Sequence, residues 1–420
     1  MVKQFNMLSS RLTEKQSDYN FKNLRSGESF ICIFCLILLA LLFCSCQKKR
    51  SRIEIIDSNN EAFLKISINP DKTDKLKLSS IAVEINYIIP DNSPESIFGS
   101  PDKVVFYDSL IFISDTDNSM AIFCFTRSGR FMFKIDKQGN GPEEYTRLSD
   151  FAVDRWQRKI VIYDDEMRNL LFFDLKGNFI KKIKTGISAD RIEIAGEDRI
   201  MYYSDYLINS GYFRDTNYQV FICDYNNRLH EKFLPFPADN NLFLNVMGIL
   251  NNTSASGKGC YVYPTFNNRI YSLKKDKLTV FAEFDFLDKN PPDNFLTSFS
   301  SKEHKKNIAE GKYITGPINF QVTEDWLVAI IPYKKKLFYY LYDIKTGFTA
   351  FSAKIDNDID KSPFIFIPPL FTDGTDLFCF IEPYLIEKTK NLPGGDKVLP
   401  EEFQNYNVNN NPILQVIKLK

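Results

Sequence analysis

Histidine and tryptophan are nearly missing from this chain, with two of each among 420 residues. His230 follows a polar turn and His304 stands among lysines, so both are expected to face solvent. A zinc centre, or an imidazole working as acid and base, needs more inward-facing histidines than these. An excess of one charge is missing too. Lys and Arg number 53, Asp and Glu 53, and without residues 1–45 the balance is 48 to 50. No basic footprint for nucleic acid exists, and no nucleic-acid partner is expected. Beyond residue 46 the cysteines are only Cys124, Cys223, Cys260 and Cys379, spaced 37 to 119 residues apart in apolar runs. Such spacing supplies no metal motif, and buried free thiols are expected. No metal or other cofactor is predicted. The longest uninterrupted apolar or small-residue run, Phe30–Phe43, has 14 residues, short of the roughly 20 that a membrane-spanning helix needs.

That short run is informative for another reason. Lys15, Lys22 and Arg25 precede it and Phe43-Cys44-Ser45-Cys46 ends it, which is the charged, apolar, small-residue order of a secretory signal. The last four residues resemble the lipobox of bacterial lipoproteins, which implies cleavage after Ser45 and acylation of Cys46. Acyl chains at one thiol hold a protein on a bilayer, so the membrane is an expected partner. The chain then divides into a signal peptide (1–45), a lipid-anchored linker (46–75) and a folded domain (76–420).

Phe and Tyr are abundant, 38 and 21 residues, and together with Ile and Val they favour half-buried pleated surfaces. From residue 104 the chain repeats loosely. Val104–Ile135 and Phe151–Ile183 both read as strand, polar turn, strand ending in Asp, polar turn, strand, glycine turn, strand. Gly129 and Gly177 are equivalent, as are Asp115 and Asp164. In a third copy Asn227 replaces the glycine, because both residues tolerate the left-handed conformation of a tight hairpin. Copies beginning near 104, 150, 191, 243, 319 and 365 have the period of propeller blades. The predicted fold is all-β, a six-bladed β-propeller. Its last blade lacks sequence for an outer strand, and Ile81–Ile89 is expected to supply it and close the ring. A capping box at Ser300-Ser301-Lys302-Glu303 predicts one short helix between the fourth and fifth blades.

Gly139-Asn140-Gly141-Pro142-Glu143-Glu144-Tyr145, followed by Ile162-Tyr163-Asp164, resembles the NHL-type propeller repeat. It is more similar to the six-bladed β-propeller lipoproteins of Gram-negative bacteria, with their GxGPxEY turn between the first two blades. Ile270-Tyr271, Phe284-Asp285-Phe286 and Asn357-Asp358-Ile359-Asp360 extend the likeness over about residues 76–420. The resemblance implies an outer-membrane lipoprotein and no particular activity.

The search for chemistry yields little. There is no GxSxG elbow and no sialidase-type Asp box, and Gly139–Gly141 lacks the Lys-Ser/Thr of a phosphate loop. Asp115, Asp164 and Asp165 end second strands, where turn hydrogen bonds explain them. The best binding candidate is Met201–Tyr218, with Tyr202, Tyr203, Tyr206, Tyr212 and Phe213 as ligand-contacting rings. Asn391–Pro412 reads as a polar surface loop. The expected function is a non-catalytic binding or scaffold module for a glycan, a peptide or an envelope protein. The alternative is a carboxylate-based glycosidase or lyase, or a metal-dependent lactonase-like hydrolase, with its site in the axial pocket.

Overall fold

The computed structural model describes residues 62–420 except 210, 212–215, 238–251, 257–258, 275, 293–294 and 296–300. Three strands precede the first complete blade: β1 (Leu64–Ser67), β2 (Leu76–Lys77) and β3 (Ala82–Ile88). Blade one comprises β4 (Lys103–Tyr107), β5 (Leu110–Asp115), β6 (Ala121–Thr126) and β7 (Phe131–Ile135). Blade two comprises β8 (Asp150–Asp154), β9 (Lys159–Asp164), β10 (Asn169–Asp174) and β11 (Phe179–Lys184). Blade three has β12 (Arg191–Gly196), β13 (Arg199–Tyr203), β14 (Thr216–Cys223) and β15 (Leu229–Pro237). Blade four has β16 (Thr253–Ser256), β17 (Gly259–Val262), β18 (Arg269–Lys274) and β19 (Lys277–Asp285). Blade five has β20 (Asn319–Val322), β21 (Trp326–Tyr333), β22 (Lys336–Asp343) and β23 (Thr349–Ser352). A short β24 (Ile355–Asp356) leads to blade six, built from β25 (Phe371–Thr372), β26 (Leu377–Ile381), β27 (Ile413–Leu419) and β3.

The ring closes as the sequence predicts. β3 pairs antiparallel with β27, from Leu414 opposite Ile88 to Leu419 opposite Ala82. The first strands of successive blades touch in cyclic order, β4 to β8, β12, β16, β20, β25 and back to β4. Six apolar clusters fill the six gaps between neighbouring blades. Each sheet buries both faces, so its inner strands read as continuous apolar runs rather than as an alternation. Cys124, Cys223, Cys260 and Cys379 lie unpaired within these cores. Burial pushes the thiols of Cys124, Cys223 and Cys379 up to about 12, which leaves them neutral and unreactive.

Repeated residues have repeated jobs. Gly129, Gly177 and Asn227 occupy the left-handed region at φ of 86°, 84° and 62° in equivalent turns. A methyl group on Gly129 would lie 2.1 Å from the carbonyl oxygen of Ile89. Gly129→Ala should therefore cost about 1–3 kcal/mol, and an unchanged midpoint in urea would show that the turn can relax. The carboxylates of Asp115 and Asp164 are buried clasps. Asp115 accepts from the Asn118 amide at 2.9 Å and reaches the incoming crossover at Gly99, 2.8 Å away. Asp164 does the same with Met167 at 3.1 Å and Thr146 at 2.8 Å.

Several expectations change. β1 adds to blade four in parallel with β19, and β2 pairs in parallel with β24. Residues assigned to the linker thus begin the propeller. The expected helix α1 (Ser301–Ala309) is present between blades four and five, but His304 is buried there, 4.3 Å from the ring of Phe295. A second helix, α2 (Pro383–Lys390), was not legible. It belongs with the supposed surface loop after it, where Leu399, Phe403 and Tyr406 turn inward onto Ile386 and Ile413. Those three side chains bury a small core beneath a polar-looking segment.

Candidate functional site

The first strands of all six blades surround a cavity of about 590 Å³ on the propeller axis. Strand direction decides its lining, because residues of β4, β8, β12, β16, β20 and β25 project there from six sides. In its wall, Lys103 opens β4 and is buried. Its ammonium lies 3.1 Å from Asp150 Oδ2 and 2.9 Å from Glu193 Oε1, and it donates to the Ile192 carbonyl at 2.9 Å. Arg191 approaches Asp150 Oδ1 at 3.6 Å, and the Ile192 amide donates to Asp150 Oδ2 at 2.7 Å. Thr253 Oγ1 donates to Glu193 Oε1 at 2.8 Å. Beyond it, Ser254 donates to Gln321 Oε1 at 3.1 Å, and Gln321 donates to the Leu370 carbonyl at 2.7 Å.

Burial alone would lower the pKa of Lys103, but Asp150 and Glu193 outweigh it and raise it, so the ammonium stays charged. Burial raises the carboxyl of Glu193, with Lys103 and Thr253 opposing it. Two carboxylates gripping one cation differ from the pair a glycosidase uses, in which one faces the leaving group and the other the sugar or a water. Here Asp150 and Glu193 are occupied by Lys103, and two basic residues balance two acidic ones.

The mouth of the cavity differs from this wall. It opens at the turn joining β8 to β9, where Arg155 and Trp156 are exposed, and at Lys274, which ends β18. One signal in the sequence pointed here, a tryptophan in the polar turn Asp154-Arg155-Trp156-Gln157. Lys103 and Glu193 had none, since their placement depends on which strand is innermost.

The tyrosine-rich segment separates into different roles. Tyr202 and Tyr203 are core residues, 1% and 0% exposed, and present no face to a ligand. They are adjacent on β13, so period-two alternation sends Tyr202 toward blade two and Tyr203 toward blade four. Tyr202 meets Tyr163 edge-on at 5.9 Å, while the Tyr203 hydroxyl donates to Asp205 Oδ1 at 2.8 Å. Tyr206 is half-buried. Its ring meets Phe236 at 5.3 Å and its hydroxyl donates to the Thr265 carbonyl at 3.3 Å. It borders a second cleft of about 370 Å³ with Phe266, Arg269 and Asn290. Tyr212, Phe213 and Cys46 lie outside the described residues.

The Gly139–Tyr145 turn is structural. Gly141 donates its amide to Glu144 Oε2 at 2.7 Å, and the Tyr145 hydroxyl donates to the Met120 carbonyl at 2.6 Å. Among the described residues, no helix is long and apolar enough to cross a membrane.

No curated protein matches the sequence. Among solved structures, one from Bacteroides fragilis, designated an exported protein, is similar with a TM-score of 0.67 at 16% identity. The alignment covers 85% of this chain and 99% of that one. A Bacteroides vulgatus member of the DUF4221 family aligns at 11% identity and a TM-score of 0.47, over 81% of this chain and 97% of that one. The profile of DUF4934, a domain of unknown function, matches residues 63–418, starting at the first strand laid on blade four. The chain belongs to the DUF4934 family, and its fold is a six-bladed β-propeller.

Proposed function

We propose that this protein is a non-catalytic binding module of the cell envelope, moored by acylated Cys46 and taking its ligand at the axial pocket. The observation that carries the reading is the charge pairing around Lys103. It occupies both axial carboxylates and leaves recognition to the exposed rim. A pocket of this volume lies within the range of small-molecule sites. Trp156 on that rim offers a flat apolar face suited to sugar rings, so a glycan is favoured over a peptide or a protein partner. The Bacteroides fragilis relative designated as exported supports an envelope location.

Two experiments test it. A glycan array probed with the purified protein, with and without divalent cations, should show capture in both conditions and intact ligand afterwards; shortened glycans would favour the hydrolase. Cys46→Ala should move the protein from the membrane to the soluble fraction in detergent-free lysates. Retention on membranes would remove the lipid anchor from the proposal.

A further inference from the structure

The axial pocket keeps its unspent chemistry at the mouth. Asp154, closing β8, accepts from the amides of Trp156 and Gln157 at 2.8 and 2.9 Å through one carboxylate oxygen. Its other oxygen accepts from the Tyr225 hydroxyl at 2.7 Å. This buried clasp fixes the turn that carries Arg155 and Trp156. The indole is nevertheless 54% exposed, although such a large apolar ring is ordinarily mostly covered. Beside it Arg155 is held in place, donating to the Phe106 carbonyl at 2.5 Å and lying 5.7 Å from the Tyr107 ring centre. Lys274 lines the same cavity and is exposed.

Charge then decides the class of ligand. In the wall, Lys103 and Arg191 offset Asp150 and Glu193. The side-chain donors of Thr253, Ser254 and Gln321 are committed within the protein. Of the acidic groups near Arg155, Asp373 is bound by Arg127 at 2.8 Å, while Asp108 offsets part of the guanidinium charge. The remaining charged groups lining the cavity, Arg155 and Lys274, are both cationic. A guanidinium fixed from behind presents its free edge to a planar anion, where two parallel hydrogen bonds are possible.

We infer that the mouth binds an acidic saccharide, with a sugar ring stacked on Trp156 and its carboxylate held by Arg155 and Lys274. The inference rests on the binding-module reading and adds the ligand's class. The probes are polygalacturonate and, as its neutral counterpart, dextran, each titrated calorimetrically into the full-length protein in detergent. Polygalacturonate should bind at least tenfold more tightly than dextran, and added salt should weaken it. Trp156→Ala should reduce its affinity at least tenfold, and Arg155→Gln with Lys274→Gln should abolish the preference for charge. Melting temperatures should stay within a degree or two, because these side chains are at the rim.

Equal binding of the two polymers overturns the acidic class and leaves the binding-module reading standing. Polygalacturonate binding that Trp156→Ala leaves untouched means attraction of charge alone, and overturns the mouth as the site. Binding of neither polymer overturns the inference, and release of shortened galacturonate chains overturns the module reading with it.

Discussion

Lys103→Met is expected to destabilise the propeller by about 3–5 kcal/mol, measured by urea unfolding at neutral pH. The substitution is nearly isosteric, so the loss comes from charge rather than from a cavity. It would leave Asp150 and Glu193 buried without the ammonium that both now contact, with Arg191 at 3.6 Å from Asp150 as the remaining cation. The sign of the pH dependence follows. In the native protein the Lys103 pKa is raised, so its contribution is present below the unfolded value of about 10.4 and is lost as pH rises through the higher folded value. Glu193 is also raised, so the penalty for its charge grows as pH rises above about 4.3. Removing Lys103 should enlarge that penalty, making the variant's deficit small near pH 4 and full at pH 7. A deficit that grew toward low pH would contradict the assignment. The triple variant K103M/D150N/E193Q should recover most of the stability, since neutral groups of similar shape replace Lys103 and both of its carboxylate partners, leaving Arg191, the more exposed of the two cations.

The second large effect concerns ring closure. Deleting residues 62–90 should prevent soluble folding altogether. Without β3, the strand β27 becomes a bare edge, and Leu414 and Ile417, now 1% and 0% exposed, lose their cover on that side. Deleting 62–77 alone removes only β1 and β2, which add to blades that are already complete or to a two-residue bridge. That shorter truncation should yield a monomeric β-rich protein of lowered melting temperature. Circular dichroism and size-exclusion chromatography on both products separate the outcomes. A folded product from the longer deletion would mean that closure does not depend on β3.

The blades were legible because their turns have strict backbone demands. A left-handed position selects glycine or asparagine, and a buried clasp selects aspartate, so Gly129, Gly177, Asn227, Asp115 and Asp164 mark the repeat although the strands between them vary. The closing strand was legible because the last blade lacked one. The pocket was not. Lys103 precedes an apolar run like any lysine before a strand, and only the three-dimensional ring brings it to Asp150, 47 residues on, and Glu193, 90 residues on. Aromatic content misled at Tyr202 and Tyr203, since a sheet buried on both faces uses tyrosine as core where a ligand site would expose it. Polarity misled at Asn391–Pro412, because three inward apolar or aromatic side chains, Leu399, Phe403 and Tyr406, together with the buried amide of Asn411, fasten a segment otherwise rich in asparagine and charge.

The N-terminal stretch lies on blade four through β1 and meets blade five where the Asp74 amide donates to the Phe351 carbonyl at 2.8 Å. It pairs with β24 through β2, and then becomes the strand that completes blade six and the circle. Mechanical load entering from that end must first peel Leu64–Ser67 from its neighbour, then Leu76–Lys77, before it reaches the six residue pairs that lock the ring. These short seams act as fuses in series. A pull on the N-terminal segment would therefore load the perimeter of blade four before it reached the strands around the axial chamber.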